Sequence, residues 1–239
     1  KLFQAAVRNN PTKSWSSSKV LTYVNRSPLL YKPGTDFNYS DSNYIILSMI
    51  IEKASKKSFS SLLKQNIISP LHLKHTFYIT RSYSKKELKR MATGYDQANN
   101  NIMAINMSQA GAAASMVATT KDTALFVKAI FTNHLLNKKQ LKIMLTPYST
   151  SSGLQMTANL NMFETFALGI DQNWYPKIGL VWNKPGGTYG FFSSANYSVK
   201  HHVIIVIAAN KWVPSAFMNR NFIPTLYRII SKTEPSKHT

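Results

Sequence analysis

The last third of this chain carries a different pattern from the rest, and that change restricts the fold more than any other feature. Residues 166–170, 178–182, 191–197 and 203–209 are short runs rich in β-branched and aromatic residues, and glycines punctuate them. The 203–209 run, Val-Ile-Ile-Val-Ile-Ala-Ala, is apolar without a break, which predicts a central strand. Residues 222–231 then read as a closing helix. The earlier segments read as helices joined by polar breaks. Helices first, then an antiparallel meander, then a helix predict an α+β fold: an antiparallel sheet flanked by helices, with a helical subdomain. The expectation is one domain over 1–239, its helical part at about 40–150 and its sheet with the closing helix at about 163–232.

The chemistry-bearing residues cluster earlier, in Tyr31-Lys32-Pro33-Gly34-Thr35-Asp36-Phe37-Asn38-Tyr39-Ser40-Asp41-Ser42-Asn43-Tyr44. Lys32-Pro33-Gly34-Thr35 predicts a turn, because proline fixes φ and glycine permits positive φ. A helix over 43–53 follows, apolar on most sides and therefore expected to be central and buried. Two readings of the junction stand side by side. In one, the field of the helix N-terminus and a nearby lysine lower the pKa of a tyrosine, which serves as a base. In the other, Ser40 or Asp41 caps the helix and the tyrosines are core.

Other segments are less pointed. Residues 1–26 read as short helical pieces, 59–68 as an amphipathic helix, 77–80 as a short strand and 82–89 as a charged surface segment. Residues 91–106 read as mostly loop. The small-residue run 109–116 allows close approach of a neighbouring element or a ligand. Helices are predicted over 121–132, capped by Thr119 or Thr120 with Asp122 in the first turn, and over 138–145, stopped by Pro147. His72 and His75 have no third ligand nearby and read as loop histidines. Ser16 and Lys19 spell S-x-x-K, a match that a serine-rich helix start produces as an ordinary N-cap.

Composition narrows the function classes. Hydrophobic residues at 44% argue for a folded chain. The absence of cysteine excludes disulfides, thiolate metal sites and a cysteine nucleophile. No apolar run is long enough to span a membrane, and no signal peptide is visible. The first residue is lysine, so a processed or excised piece is expected, with membrane attachment only through a segment outside it. Lysine plus arginine number 29 against 9 acids, a net charge of +20 spread along the whole chain, which suits work beside a polyanion. Specific nucleic-acid binding is not expected, because base-reading helices, zinc spacings and RNA-binding aromatic signatures are missing.

Four segments, in order, resemble the penicillin-binding-protein-like serine hydrolases: class C β-lactamases, D-Ala-D-Ala carboxypeptidases and related esterases. The 31–44 stretch is similar to the family's PG-x-x-(F/Y)-x-Y-S-(N/D) segment. Ile51-Glu52-Lys53-Ala54 with Ile68-Ser69-Pro70-Leu71 is similar to the following helix and turn. The 110–122 stretch resembles the small-residue loop and S-T-x-x-D helix start. Asn183-Lys184-Pro185-Gly186-Gly187-Thr188-Tyr189-Gly190-Phe191 resembles the (H/K)-T-G-G-x-x-G-F strand.

The resemblance implies roles. Tyr39 and Lys184 would be catalytic, the tyrosine moving protons and the lysine supplying the field around it. Asp41, Gly186, Gly187 and Thr188 would line the substrate, with the Gly187 N–H as half of an oxyanion hole. No cofactor and no metal are implied. The family nucleophile sits in an S-x-x-K well upstream of the tyrosine, whereas Ser16 is too close, so the nucleophile is expected outside these 239 residues. Pro185 stands where the family has threonine, and Asp41 where it has asparagine. The implied activity is acyl-enzyme hydrolysis of cell-wall D-alanyl peptides or esters, in an extracellular or wall-associated protein of a Gram-positive-type bacterium. The alternative is an inactive module of the same fold that binds anionic wall polymer.

Overall fold

The computed structural model describes residues 2–24, 28–36, 38–147, 164–213 and 221–233. Lys1, Arg26, Phe37 and the expected boundaries at residues 150 and 163 lie outside the described residues. Helices α1 (Leu2–Asn9), α2 (Ser17–Leu21), α3 (Asp41–Ser55), α4 (Phe59–Leu63), α5 (Lys85–Leu88), α6 (Thr120–Phe131) and α7 (Lys138–Met144) precede the main sheet. Helix α8 (Ile223–Thr233) follows it. Helix α4 continues into a π-helical turn, Lys64–Ile68. A small ribbon pairs β1 (Phe77–Tyr78) with β2 (Met116–Val117). The main sheet is antiparallel throughout and holds β3 (Glu164–Phe166), β4 (Asp171–Tyr175), β5 (Gly179–Thr188), β6 (Phe191–Ser198) and β7 (Val203–Ala209) in chain order. This is the expected α+β class.

Three local expectations need correction. The run 166–170 is a strand only to Phe166, after which the chain turns through Gly169 at φ +75°. Strand β4, Asp-Gln-Asn-Trp-Tyr, has no sequence signal of its own, because the residues it buries include Asp171 and Asn173. Strand β7 is the edge of the sheet among the described residues, not its centre. Its unbroken apolar run has another cause. Val203, Ile205 and Ile207 pack toward Ile223 and Tyr227 of α8, while α6 contacts the strand. Phe131 of α6 stacks on Tyr197, 4.1 Å between centroids, and Tyr197 is the register partner of Ile204, on the opposite face from Val203. A strand between two helices is apolar on both faces whether or not both its edges are paired.

Among the described residues two apolar clusters hold the structure. One joins Tyr175, Ile178 and Val181 of the sheet region to Ile223 and Tyr227. The other joins Val7, Trp15, Val20, Ile45 and Ile105, so α1, α2 and the start of α3 share a core with the 102–107 segment. The small-residue run forms tight turns against α3, where a Cβ on Gly111 would stand 3.6 Å from Ile45 Cγ1. Its closest partner is thus α3. Asp122 is buried and accepts hydrogen bonds from the His75 N–H (2.7 Å) and Thr76 Oγ1 (2.9 Å), tying α6 to the loop before β1.

Helix α3 is not the buried central helix expected. Only Ile45 and Ser48 are buried, and Ile46, Leu47, Ile50 and Ile51 are exposed. An open apolar groove along it is lined by Leu21, Ile46, Met49 and Ile50. The periodicity is that of a helix covered on all sides, and no described residue covers this one's outer face.

Candidate active site

The turn at 32–35 forms as read: Gly34 has φ +80°, and both the Thr35 N–H and hydroxyl donate to the Lys32 carbonyl (3.1 and 2.7 Å). The chain then enters α3 through Ser40, whose extended backbone and Oγ, accepting from the Ser42 N–H at 3.3 Å, make it the N-cap. Of the two cap candidates, Ser40 is the one used, and Asp41 lies in the first turn. This places Tyr39 just before the cap and Tyr44 at the fourth helical position. Their rings pack at 5.6 Å between centroids, as a hydrophobic staple does. The capping reading holds for Ser40, but Tyr39 is not core: it is half-exposed, and the staple fixes its ring at the helix entrance.

Lys184 comes from the middle of β5, paired with Ala195 of β6. Its Nζ lies over the Tyr39 ring, 4.6 Å from the centroid, so two residues far apart in sequence meet beside the middle strand of the sheet. Asp171, at the start of β4, receives the same ammonium at 3.5 Å. Asp171 is 3% exposed, and its cross-strand partners Asn183 and then Asn196 are fully buried, so a polar row crosses three strands in register. Burial raises the Asp171 carboxyl above its ordinary range, and Lys184 opposes that shift. Sequence inspection missed Asp171. Its only signal is an acid opening a strand whose cross-strand neighbour precedes Lys184.

The direction of the Tyr39 shift corrects the lowered-pKa reading. Partial burial, then the neighbouring Tyr44 phenol and the carboxylates of Asp41 and Asp171, push the hydroxyl above the ordinary phenol range. At neutral pH Tyr39 is a phenol. It can donate a proton; it accepts one only after an event that supplies positive charge nearby. The negative face of the ring in turn favours the Lys184 ammonium that lies over it.

Gly186, Gly187 and Thr188 continue β5 and pair with Ser193, Phe192 and Phe191. A Cβ on Gly187 would come within 2.8 Å of the Trp212 indole, so glycine is required for that ring to lie against the strand. Trp212, half-exposed and held through its carbonyl by Gln97 Nε2 (3.0 Å), is a second wall residue not singled out from sequence. The Ser193 hydroxyl lies 3.9 Å from where a Gly186 Cβ would be. Pro185 is in the strand, opposite Ser194, and offers neither hydroxyl nor N–H. The turn after β5 needs Gly190 at φ +68°, because Ile102 and the Tyr95 backbone leave no room for a side chain.

Ser16 is an N-cap, its Oγ accepting from the Lys19 N–H at 3.2 Å, and both residues are exposed. Among the described residues no group of three or more His, Cys, Asp or Glu is placed to hold a metal ion, and no helix is long and apolar enough to cross a membrane. The open grooves along α3 and beside α1 and α2 include neither Tyr39 nor Lys184. The candidate site is open and is formed by the start of α3, β4, β5 and Trp212.

That arrangement coincides with a family pattern running almost the length of the chain. The β-lactamase family model matches residues 3–224, and the chain belongs to this family of penicillin-binding-protein-like serine hydrolases. Among curated proteins it is similar to the N-acetylmuramyl-L-alanine amidase of Bacillus subtilis, 38% identical over 65 residues, which is 27% of this chain and 15% of that protein. Among solved structures it is similar to the D-stereospecific amidohydrolase of a Streptomyces species (TM-score 0.76, 23% identity, 88% of this chain and 61% of that one). It is also similar to the D-amino acid amidase of Ochrobactrum anthropi SV3 (TM-score 0.75, 21% identity, 92% and 63%). The chain thus spans under two thirds of these solved chains and a small part of the curated relative, and the two structural likenesses carry the fold.

Proposed function

We propose that the protein is a serine hydrolase that cleaves amides or esters of D-configured residues in the cell wall through an acyl-enzyme, with the nucleophilic serine contributed from outside these 239 residues. The observation that supports this most is the convergence of Tyr39, Lys184 and Asp171 in one open site. In the proposed cycle a serine hydroxyl attacks the substrate carbonyl carbon. Tyr39, a phenol at neutral pH, gives its own proton to the departing nitrogen or oxygen and takes the serine hydroxyl proton in exchange, so that the phenol is restored. Lys184 supports the charge that passes through the phenol, and Asp171 holds Lys184 there as a positioning residue. Water then attacks the acyl ester, and its proton returns to the serine oxygen. The Gly187 N–H stands in the role of an oxyanion donor, a contribution of about 3 kcal/mol in such sites. The D-configured substrate class draws on the printed activities of the structural neighbours.

The test is covalent labelling. A protein carrying this chain together with its nucleophile segment is expected to gain the mass of one fluorophosphonate or penicillin adduct. Tyr39→Phe and Lys184→Ala are each expected to slow labelling by about 10²- to 10⁴-fold, the range for a lost proton-transfer group. No adduct at saturating probe would sink the proposal. A second reading, an inactive module that binds anionic wall polymer, is favoured by Pro185 and Asp41, which remove a substrate-binding hydroxyl and place a carboxylate beside Tyr39.

A further inference from the structure

We propose that α5 and the loop before β1 form a docking patch for a linear polyol-phosphate polymer, with one phosphate per repeat and no bases. The inference rests on the reading that the protein works beside an anionic wall polymer, and it is independent of turnover at Tyr39. Lys85 and Lys86 lie in the single turn of α5, Lys89 is its C-cap and Arg90 follows, and all four are exposed. Lys85 and Lys89, and Lys86 and Arg90, are four residues apart, a like-charge spacing that works against extending the helix. A single turn keeps its form there because Ser84 and Glu87 make a capping box. Arg90 then reaches across to the Lys74 carbonyl (3.2 Å) and to His75 Nδ1 (3.4 Å), bringing exposed Lys74 into the same patch.

The acids of this region are spent internally. Both Glu87 oxygens are 2.8 Å from Arg81, whose guanidinium and the Ser84 donors hold the carboxyl down at about 2. Buried Asp122 is occupied by the His75 N–H and the Thr76 hydroxyl. Five exposed cations, Lys74, Lys85, Lys86, Lys89 and Arg90, therefore face solvent with no acid assigned to them among the described contacts. The surroundings select the partner. Arg90 covers the Phe77 ring at 5.5 Å, and Tyr83 is half-buried, so neither ring is offered for stacking bases. Leu88 is the one exposed large apolar side chain of α5, too little to enter a lipid surface. Phosphates at regular spacing, without bases or acyl chains, are what remains.

The experiment measures binding of this chain to labelled poly(glycerol phosphate) over a series of NaCl concentrations. The fourfold variant Lys74→Gln, Lys85→Gln, Lys86→Gln and Lys89→Gln removes the patch. The control Lys121→Gln, Lys138→Gln, Lys139→Gln and Lys142→Gln removes the same charge elsewhere. The patch variant is expected to lower the salt slope by about 3, at about 0.7 per lost phosphate contact, and the control by much less. Equal losses in the two variants, or unchanged binding in the patch variant, would overturn the placement while leaving polymer binding intact. No binding by the unaltered protein would overturn the polymer reading as well, and neither result touches the labelling test. Equal affinity for oligothymidylate, or preference for phosphatidylglycerol vesicles, would also overturn it.

Discussion

At the scale of single residues, Asp171 is the most exposed to test because its charge works against folding. Burial raises its pKa in the folded chain above the unfolded value, net of the opposing pull of Lys184. A raised folded pKa means that the native state holds a proton the unfolded chain has released. The stabilising contribution is then fully present below an unfolded value of about 3.9 and is lost as pH rises through the folded value. Asp171→Asn has no such loss. Urea midpoints of the two proteins should therefore diverge in favour of the asparagine variant as pH climbs through the carboxylate range. Parallel curves would mean that the carboxyl is not desolvated as the structure places it. The same substitution should slow covalent labelling, since Lys184 loses its anchor.

At the scale of elements, α8 is the piece whose contribution is easiest to isolate. Ile223 and Tyr227 are essentially inaccessible and pack on Tyr175, Ile178 and Val181. Ile223→Ala is expected to cost about 2–5 kcal/mol by chemical denaturation, the range for truncating a buried isoleucine. A loss below that range would mean that the helix is not seated on the sheet. The elements also separate what was legible in the chain from what was not. Helices α6 and α7 could be read because Thr119 opens the first and Pro147 closes the second locally. The turn at Pro33-Gly34 could be read for the same reason. Strand β4 could not, because its inward residues are Asp171 and Asn173, buried by cross-strand polar neighbours that no local pattern announces. Helix α3 and strand β7 were misjudged in location because apolar content reports which faces call for cover and says nothing about sheet order. Motifs singled out Tyr39 and Lys184, which the structure brings together, whereas Asp171 and Trp212 join the candidate site only through strand pairing and a glycine that admits an indole.

At the scale of the whole molecule, charge dominates. The chain carries +20, and among the described residues two ion pairs, Arg81 with Glu87 and Lys184 with Asp171, answer that excess. Self-repulsion of this kind weakens the compact state and is screened over about 10 Å at ~0.1 M salt. The melting temperature is therefore expected to rise with NaCl at fixed pH, and a flat or falling curve would show that the cations are compensated. Tyr39 sits within this basic frame with two duties in one side chain: its ring closes the staple on α3 and lies under the Lys184 ammonium, and its hydroxyl is the group assigned the proposed proton transfer. Loss of a single oxygen atom, leaving phenylalanine, would silence the second duty and spare the first. On the proposed chemistry, one codon change here would end catalysis and leave the architecture as it stands.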